Sequence, residues 1–248
     1  MIKFFRHFRK DLMEKNKTSK YFKYAIGEIV LVVIGILIAL SINNWNENRK
    51  ELNKFKVLTE NLHSEFKTNL EELEIDLNRL KRKISAGNAI KTYTGIEKIE
   101  ISEFKIDSLL YEAFMSPTWN PSTFTLNEVK NSGKLSHIKN TKLKLLLYQW
   151  ERLYEDIIEW QNTLTSSLEG PLTVLKRKGS VVNMDFYNQD NIHKSKFNVS
   201  NSNLLNEILF ENELENNLYA ARELENRYNK AKMLLIDIIN QSKSHAID

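Results

Sequence analysis

Side chains able to do chemistry are present in this sequence, but their spacing does not assemble them. Histidines stand at His7, His63, His137, His193 and His245, with no His-Glu-x-x-His run to hold zinc on one helix face. There is no Cys, which rules out disulfides, thiolate metal sites and thiol nucleophiles. The Gly-Lys pair of "SGKLS" at residues 132–136 lacks the upstream glycines with which a phosphate loop wraps its ligand. No Gly-x-Ser-x-Gly elbow occurs. The acid pairs Glu71/Glu72 and Asp156/Glu159, and His63 between Glu60 and Lys67, sit among basic neighbours and read as solvated helix faces. No catalytic residue, metal ligand or cofactor-binding motif emerges, so neither enzyme activity nor a cofactor is expected.

Two constellations remain. The first is aromatic: Trp119, Phe124, Trp150, Tyr154 and Trp160. These rings read either as the core of a helical bundle or as a pocket where Trp119, Trp150 and Tyr154 meet a ligand or partner. The second is Glu28, an acid inside an apolar run. At 100° per residue, Glu28, Gly35, Ala39 and Asn46 fall within roughly 20° of one line. Gly35 and Ala39 form a small-xxx-small pair that lets two helix backbones approach, and Glu28 could accept a hydrogen bond across that contact. The competing reading has Glu28 reach back toward the headgroups near Lys20 or Lys23. The basic run at residues 176–178 reads as a solvated loop or as a grip for an acidic partner.

The elements that carry these residues follow from periodicity. Residues 24–45 are apolar and free of Lys and Arg. As a helix they span about 33 Å at 1.5 Å per residue, which matches a bilayer core of about 30 Å. Tyr21, Phe22 and Tyr24 stand at one end and Trp45 at the other, as interfacial aromatics do. A signal peptide cleaved after "ALS" at residues 39–41 and a buried soluble helix compete with this reading. The apolar run is too long for the first, and no neighbouring segment is apolar enough to cover the second.

Residues 1–23 carry eight basic groups against Asp11 and Glu14, while beyond Glu28 there are 28 basic and 29 acidic groups. The formal charge of +4 therefore belongs to the tail. A basic tail beside an apolar run fits anionic lipid and a cytoplasmic N-terminus, and it argues against nucleic acid as a partner. Phe4, Phe5, Phe8 and Leu12 share one face of a possible amphipathic helix in this tail.

Residues 46–86 then read as a stalk helix. Leu52, Phe55, Leu58, Leu62, Phe66, Leu70, Leu73, Leu77, Leu80 and Ile84 step by three or four, a seam that could pair two chains or pack on the chain's own later helices. Few glycines and prolines (7 and 3) favour helices and short turns downstream. Ser102 is placed to cap one helix, Ser122 another that Gly133 ends, and long amphipathic helices follow over 137–164 and 214–239. A loop is expected near 176–202, with 181–187 as the best strand candidate. The expectation is an all-α fold: a transmembrane helix continuing into a stalk, then an antiparallel bundle over 87–248.

The stretch "YAIGEIVLVVIGILIALSINNWNENRK" at residues 24–50, with "NEVKNSGKLSHIKN" at 127–140, resembles a family of one-pass membrane proteins of Gram-negative bacteria known only as a domain of unknown function. The resemblance covers most of the chain and is weakest over 176–202. It implies an inner-membrane anchor with a helical periplasmic part and brings no activity, cofactor or catalytic residue. Together these readings make the chain an expected membrane-anchored periplasmic scaffold or accessory protein. It would bind a protein partner or envelope component, or self-associate through its membrane and stalk helices. A periplasmic ligand sensor relaying through a partner membrane protein is the alternative.

Overall fold

The computed structural model of the chain describes residues 18–97, 100–138, 140–186 and 193–243. The amphipathic helix expected in the basic tail falls on residues outside this set. Among the described residues the fold is all-α, with no strand. The chain divides into two units, Met1–Val57 and Leu58–Asp248.

The first helix, α1, runs unbroken over Thr18–Lys91. It is long and apolar enough to cross a membrane, and none of its most apolar window is buried. Within the first unit, the Arg49 guanidinium lies 5.7 Å from the centre of the Trp45 ring. Asn43 donates to Glu47 at 3.3 Å and Lys54 to Glu51 at 2.9 Å, the one-turn pairs expected of an exposed helix. Leu52 is exposed and Phe55 half-buried, so the seam is not covered this early.

In the second unit α1 has a different environment. From Leu58 onward Leu62, Phe66, Leu73, Leu77, Leu80 and Ile90 are buried to 5% exposure or less. The stalk helix expected over 46–86 extends further, to Lys91, and from Leu58 its seam takes the second of the two expected packings, as a core element of the bundle. The partners of its seam are the chain's own later helices.

Those helices are α2 (Glu103–Phe114), α3 (Phe124–Asn131), α4 (Thr141–Ser167), α5 (Glu169–Lys178), α6 (Val181–Phe186) and α7 (Ile208–Ser242). Short 3₁₀ turns at Lys134–His137 and Asn201–Asn206 complete the described elements. Side-chain pairs fix the directions. His63 meets Ile239 and Ser242, Glu74 meets Lys232, and Lys91 meets Glu215, so α7 runs antiparallel to α1. Asn140 meets Gln241, Asp156 meets Arg227, and Trp160 meets Tyr219, so α4 also runs antiparallel to α7. The bundle's long framework is thus α1, α7 and α4, up-down-up.

The smaller elements close the end of the bundle near Lys91. Ile90, Ile106, Leu110, Phe114, Leu175, Leu205 and Phe210 share one apolar cluster there. Gly95, in a left-handed turn at φ 71°, donates its N–H to Leu205 at 2.9 Å and ties the turn to the second 3₁₀ segment. Ser102 caps α2 through Lys105 N–H, as its position predicts. The loop expected over 176–202 is corrected at both ends. Residues 176–178 form the last turn of α5, where basic side chains suit the helix dipole, and Lys178 pairs with Glu207 at 3.0 Å. The strand candidate at 181–187 is helical over Val181–Phe186, opened by Asn183 N–H donating to Ser180 Oγ. Its β-branched pair is overridden by that cap and by the burial of Met184.

Candidate functional site

The buried stripe of α1 in the second unit contains polar residues that the apolar seam conceals. Asn69, Asp76 and Lys83 follow one another at seven-residue intervals between Leu62 and Ile90, and Glu65 lies beside them. All four are at or below 9% exposure, and Asn69 and Lys83 are at 0%. A buried polar group must be paired, and each of these pairs with backbone or a neighbour.

The pairing organises the segment between α2 and α3, which lies along α1. Lys83 Nζ donates to Ala113 O at 2.5 Å, in the last turn of α2. Burial lowers the Lys83 amine to about 7. Asn69 accepts from Ser122 N–H and donates to Ser122 O, both at 2.8 Å, as a backbone strand would. Glu65 accepts from Thr125 N–H at 3.0 Å, from Leu126 N–H at 3.2 Å and from Ser122 Oγ at 2.5 Å. Thr123, at the N-cap position of α3, makes no side-chain cap, so Glu65 supplies it from another helix. The Ser122 cap read from sequence is present but long: its hydroxyl accepts from Phe124 N–H, the first residue of α3, at 3.5 Å, and donates to Glu65. A cation at a helix C-terminus and an anion at a helix N-terminus both match the helix dipole.

The aromatic residues sort into two places. Trp119 and Trp150 are 1% exposed and meet edge-to-face at 5.5 Å. Phe66 and Tyr228 contact this pair edge-on, and Tyr154 stacks on Trp150 at 5.7 Å and 6°. Every polar handle of Trp119 is used. Its indole N–H donates to Asn69 O and its backbone N–H to Tyr228 Oη, both at 3.2 Å, while its carbonyl accepts from Gln161. Of the two readings of these rings, core or pocket, Trp119 and Trp150 are closed core, while Tyr154 is half-buried. Phe124 is 78% exposed and lies outside the cluster. Trp160 instead contacts Tyr219 at 6.1 Å, with the Arg227 guanidinium 4.4 Å from its ring centre.

In the first unit Gly35 and Ala39 are exposed, and a Cβ added at Gly35 would meet nothing within 4 Å. Glu28, half-buried, has an interaction of its own. His63 is not a solvated face residue. Its Nδ1 lies 3.1 Å from Ile239 O and 3.0 Å from Ser242 Oγ, and since a carbonyl only accepts, Nδ1 carries the proton.

Asp107 is a further buried acid that the sequence did not single out. Its Oδ1 accepts from Asn201 Nδ2 at 2.6 Å, and Oδ2 has no partner among the described residues. Burial pushes its carboxyl above the usual range. No group of three or more His, Asp or Glu able to hold a metal occurs among the described residues. Lys83, Glu65 and Asp107 are enclosed and committed to structural bonds, which leaves no exposed nucleophile–base pair built from them.

Two clefts open on the surface between α4 and α7. One, of about 670 Å³, lies beside Leu146, Arg152, Leu153, Lys230, Met233 and Asp237. The other, of about 630 Å³, lies beside Trp160 and Tyr219. Both have the size of ordinary ligand clefts, which run from about 300 to 1,000 Å³.

No curated protein and no solved structure matches the chain. A family model does match, over residues 28–212, from Glu28 in the apolar run to the first turn of α7. That span takes in most of the chain, including the polar stripe and the segment it holds, and the protein therefore belongs to DUF6090, a family of unknown function.

Proposed function

We propose that the protein is a non-enzymatic, single-pass inner-membrane protein whose periplasmic bundle binds a protein partner or envelope component. The observation that carries this reading is the double character of α1. Residues of its N-terminal part are apolar and uncovered, while from Leu58 its stripe is a built-in part of the bundle core. A domain whose central helix is also its anchor cannot be released from that anchor without losing core, which suits a fixed scaffold. The basic residues before the apolar run support a cytoplasmic N-terminus and a periplasmic bundle. Gly35, Ala39 and Glu28 offer one face for a second membrane helix.

Topology reporters fused to the C-terminus test the placement: alkaline phosphatase is active and a cytoplasmic fluorescent reporter dark. The reverse pattern removes the periplasmic bundle. In-cell crosslinking with and without Glu28→Gln tests the membrane contact, and identical crosslinked partners in both would remove Glu28 from it.

A further inference from the structure

We propose that the cleft between α4 and α7 at Tyr219 is a binding site for a neutral glycan chain of pyranose rings. The proposal names a ligand class for the envelope-binding reading above, and rests on that reading only for its biological setting.

The argument begins with an exposed aromatic ring that the fold holds rigidly. Tyr219 is 54% exposed, yet its ring meets Trp160 edge-to-face at 6.1 Å and 67°. Trp160 is in turn backed by the Arg227 guanidinium, 4.4 Å from its ring centre. Arg227 is locked by Asp156 at 2.9 Å and Glu223 at 2.7 Å. Three successive layers thus immobilise one ring that faces solvent. The negative face of such a ring pairs with the partly positive C–H face of a pyranose, and a pre-ordered ring loses little entropy on binding.

The polar lining supplies the complement. Glu159, Asn162, Thr163, Ser166 and Asn216 border the same cleft and are exposed. Thr163 Oγ1 donates to Glu159 O at 2.9 Å and Ser166 Oγ to Asn162 O at 2.8 Å. Each hydroxyl has one proton, so both present only lone pairs to the cleft. The Glu159 carboxylate adds acceptors, and the two amides add both donors and acceptors. An acceptor-rich groove beside a flat ring suits a ligand rich in O–H and N–H donors with an apolar face. The Glu159 charge, with Arg227 already engaged, disfavours acidic sugars. The cleft, of about 630 Å³, is open to solvent, as a chain ligand requires.

The test uses the full chain in lipid nanodiscs, free of glycoside detergents, titrated at millimolar concentrations with N-acetylated chitotetraose and maltotetraose. Saturation-transfer NMR and calorimetry read binding. The expected result is saturable binding of at least one of the two, weakened about tenfold or more by Tyr219→Ala, a loss of about 1.4 kcal/mol, and retained by Tyr219→Phe. Asn216→Ala, an exposed site, provides a second weakening variant should Tyr219→Ala melt early. Failure of both oligosaccharides to bind, or binding unchanged in Tyr219→Ala and Asn216→Ala, overturns the proposal. The topology reporters are unaffected by either outcome, so the two readings fail separately.

Discussion

Lys83 donates from its buried amine to the carbonyl oxygen of Ala113, 2.5 Å away in the last turn of α2. Eighteen positions earlier on the same helix, Glu65 accepts from N–H groups in the first turn of α3. The long helix therefore supplies a hydrogen-bond donor to one helix end and an acceptor to the next. The segment joining those ends is strung between them and fastened midway by Asn69 and Trp119.

The Lys83 contact makes stability depend on pH. Its amine falls to about 7 in the fold against an ordinary value of 10.5. Between these values the unfolded chain binds a proton that the folded chain does not, so unfolding takes up a proton and stability rises with pH. Below about 7 the charged form is buried and the full penalty applies. Lys83→Met should be more stable than the parent at pH 6, with the advantage shrinking by at most about 1.4 kcal/mol per unit as pH rises toward 10. Urea midpoints of both proteins at several pH values check this; parallel curves refute it.

Removing the cap that Glu65 lends to α3 leaves buried N–H groups at Thr125 and Leu126 without acceptors. Glu65→Ala should cost about 1–3 kcal/mol, and Glu65→Gln, which keeps one carbonyl oxygen, less. Hydrogen exchange at Thr125 and Leu126 should accelerate more than exchange elsewhere in the bundle. Uniform acceleration would mean that the cap is not local.

At Gly87 the Leu218 side chain of α7 lies close against α1: an added Cβ would lie 2.5 Å from it, and Leu218 is itself at 0% exposure. Alanine would gain up to about 1 kcal/mol in helix propensity but meet a side chain with no room to move. Gly87→Ala should be destabilising on balance, by about 1–2 kcal/mol, as overpacking is. Combined with Leu218→Ala the two costs should fall short of additive, because the smaller partner admits the methyl. Chemical denaturation of the four proteins in the cycle measures the coupling.

Tyr228 is fully buried and accepts from the Trp119 backbone N–H at 3.2 Å. Burial raises its phenol well above the ordinary value, so it stays neutral throughout the accessible pH range. Tyr228→Phe keeps the edge-to-face contact with Trp119 but orphans that N–H, at a cost of about 1–3 kcal/mol. The near-ultraviolet circular dichroism of the tryptophans should survive while the denaturation midpoint falls. Loss of both would show that the hydroxyl also sets the ring geometry.

Much of the architecture was legible in one dimension, because apolar spacing reports which helix face must leave water. Phe66, Leu73, Leu77 and Leu80 marked the buried stripe of α1, and the Trp45 boundary closed the apolar run without help from any partner. Ser102 announced a helix start because a cap acts within one turn. What pattern could not supply was the value of a polar residue inside that stripe. Asn69, Asp76 and Lys83 recur every seven positions, but the partners that enclose Asn69 and Lys83 lie 53 and 30 residues away in sequence.

The same limit divided the aromatic rings. Trp119, Trp150 and Tyr154 converge in the core while Phe124 and Trp160 do not, because their grouping follows from how α4 and α7 pack rather than from their spacing. Short-range physics, periodicity and capping, was enough to determine an all-α chain with one uncovered apolar helix. Which polar side chains would be enclosed, and that Trp160 and Arg227 would stand behind the exposed Tyr219, was decided only when antiparallel helices brought distant residues within a hydrogen bond or a ring contact of one another.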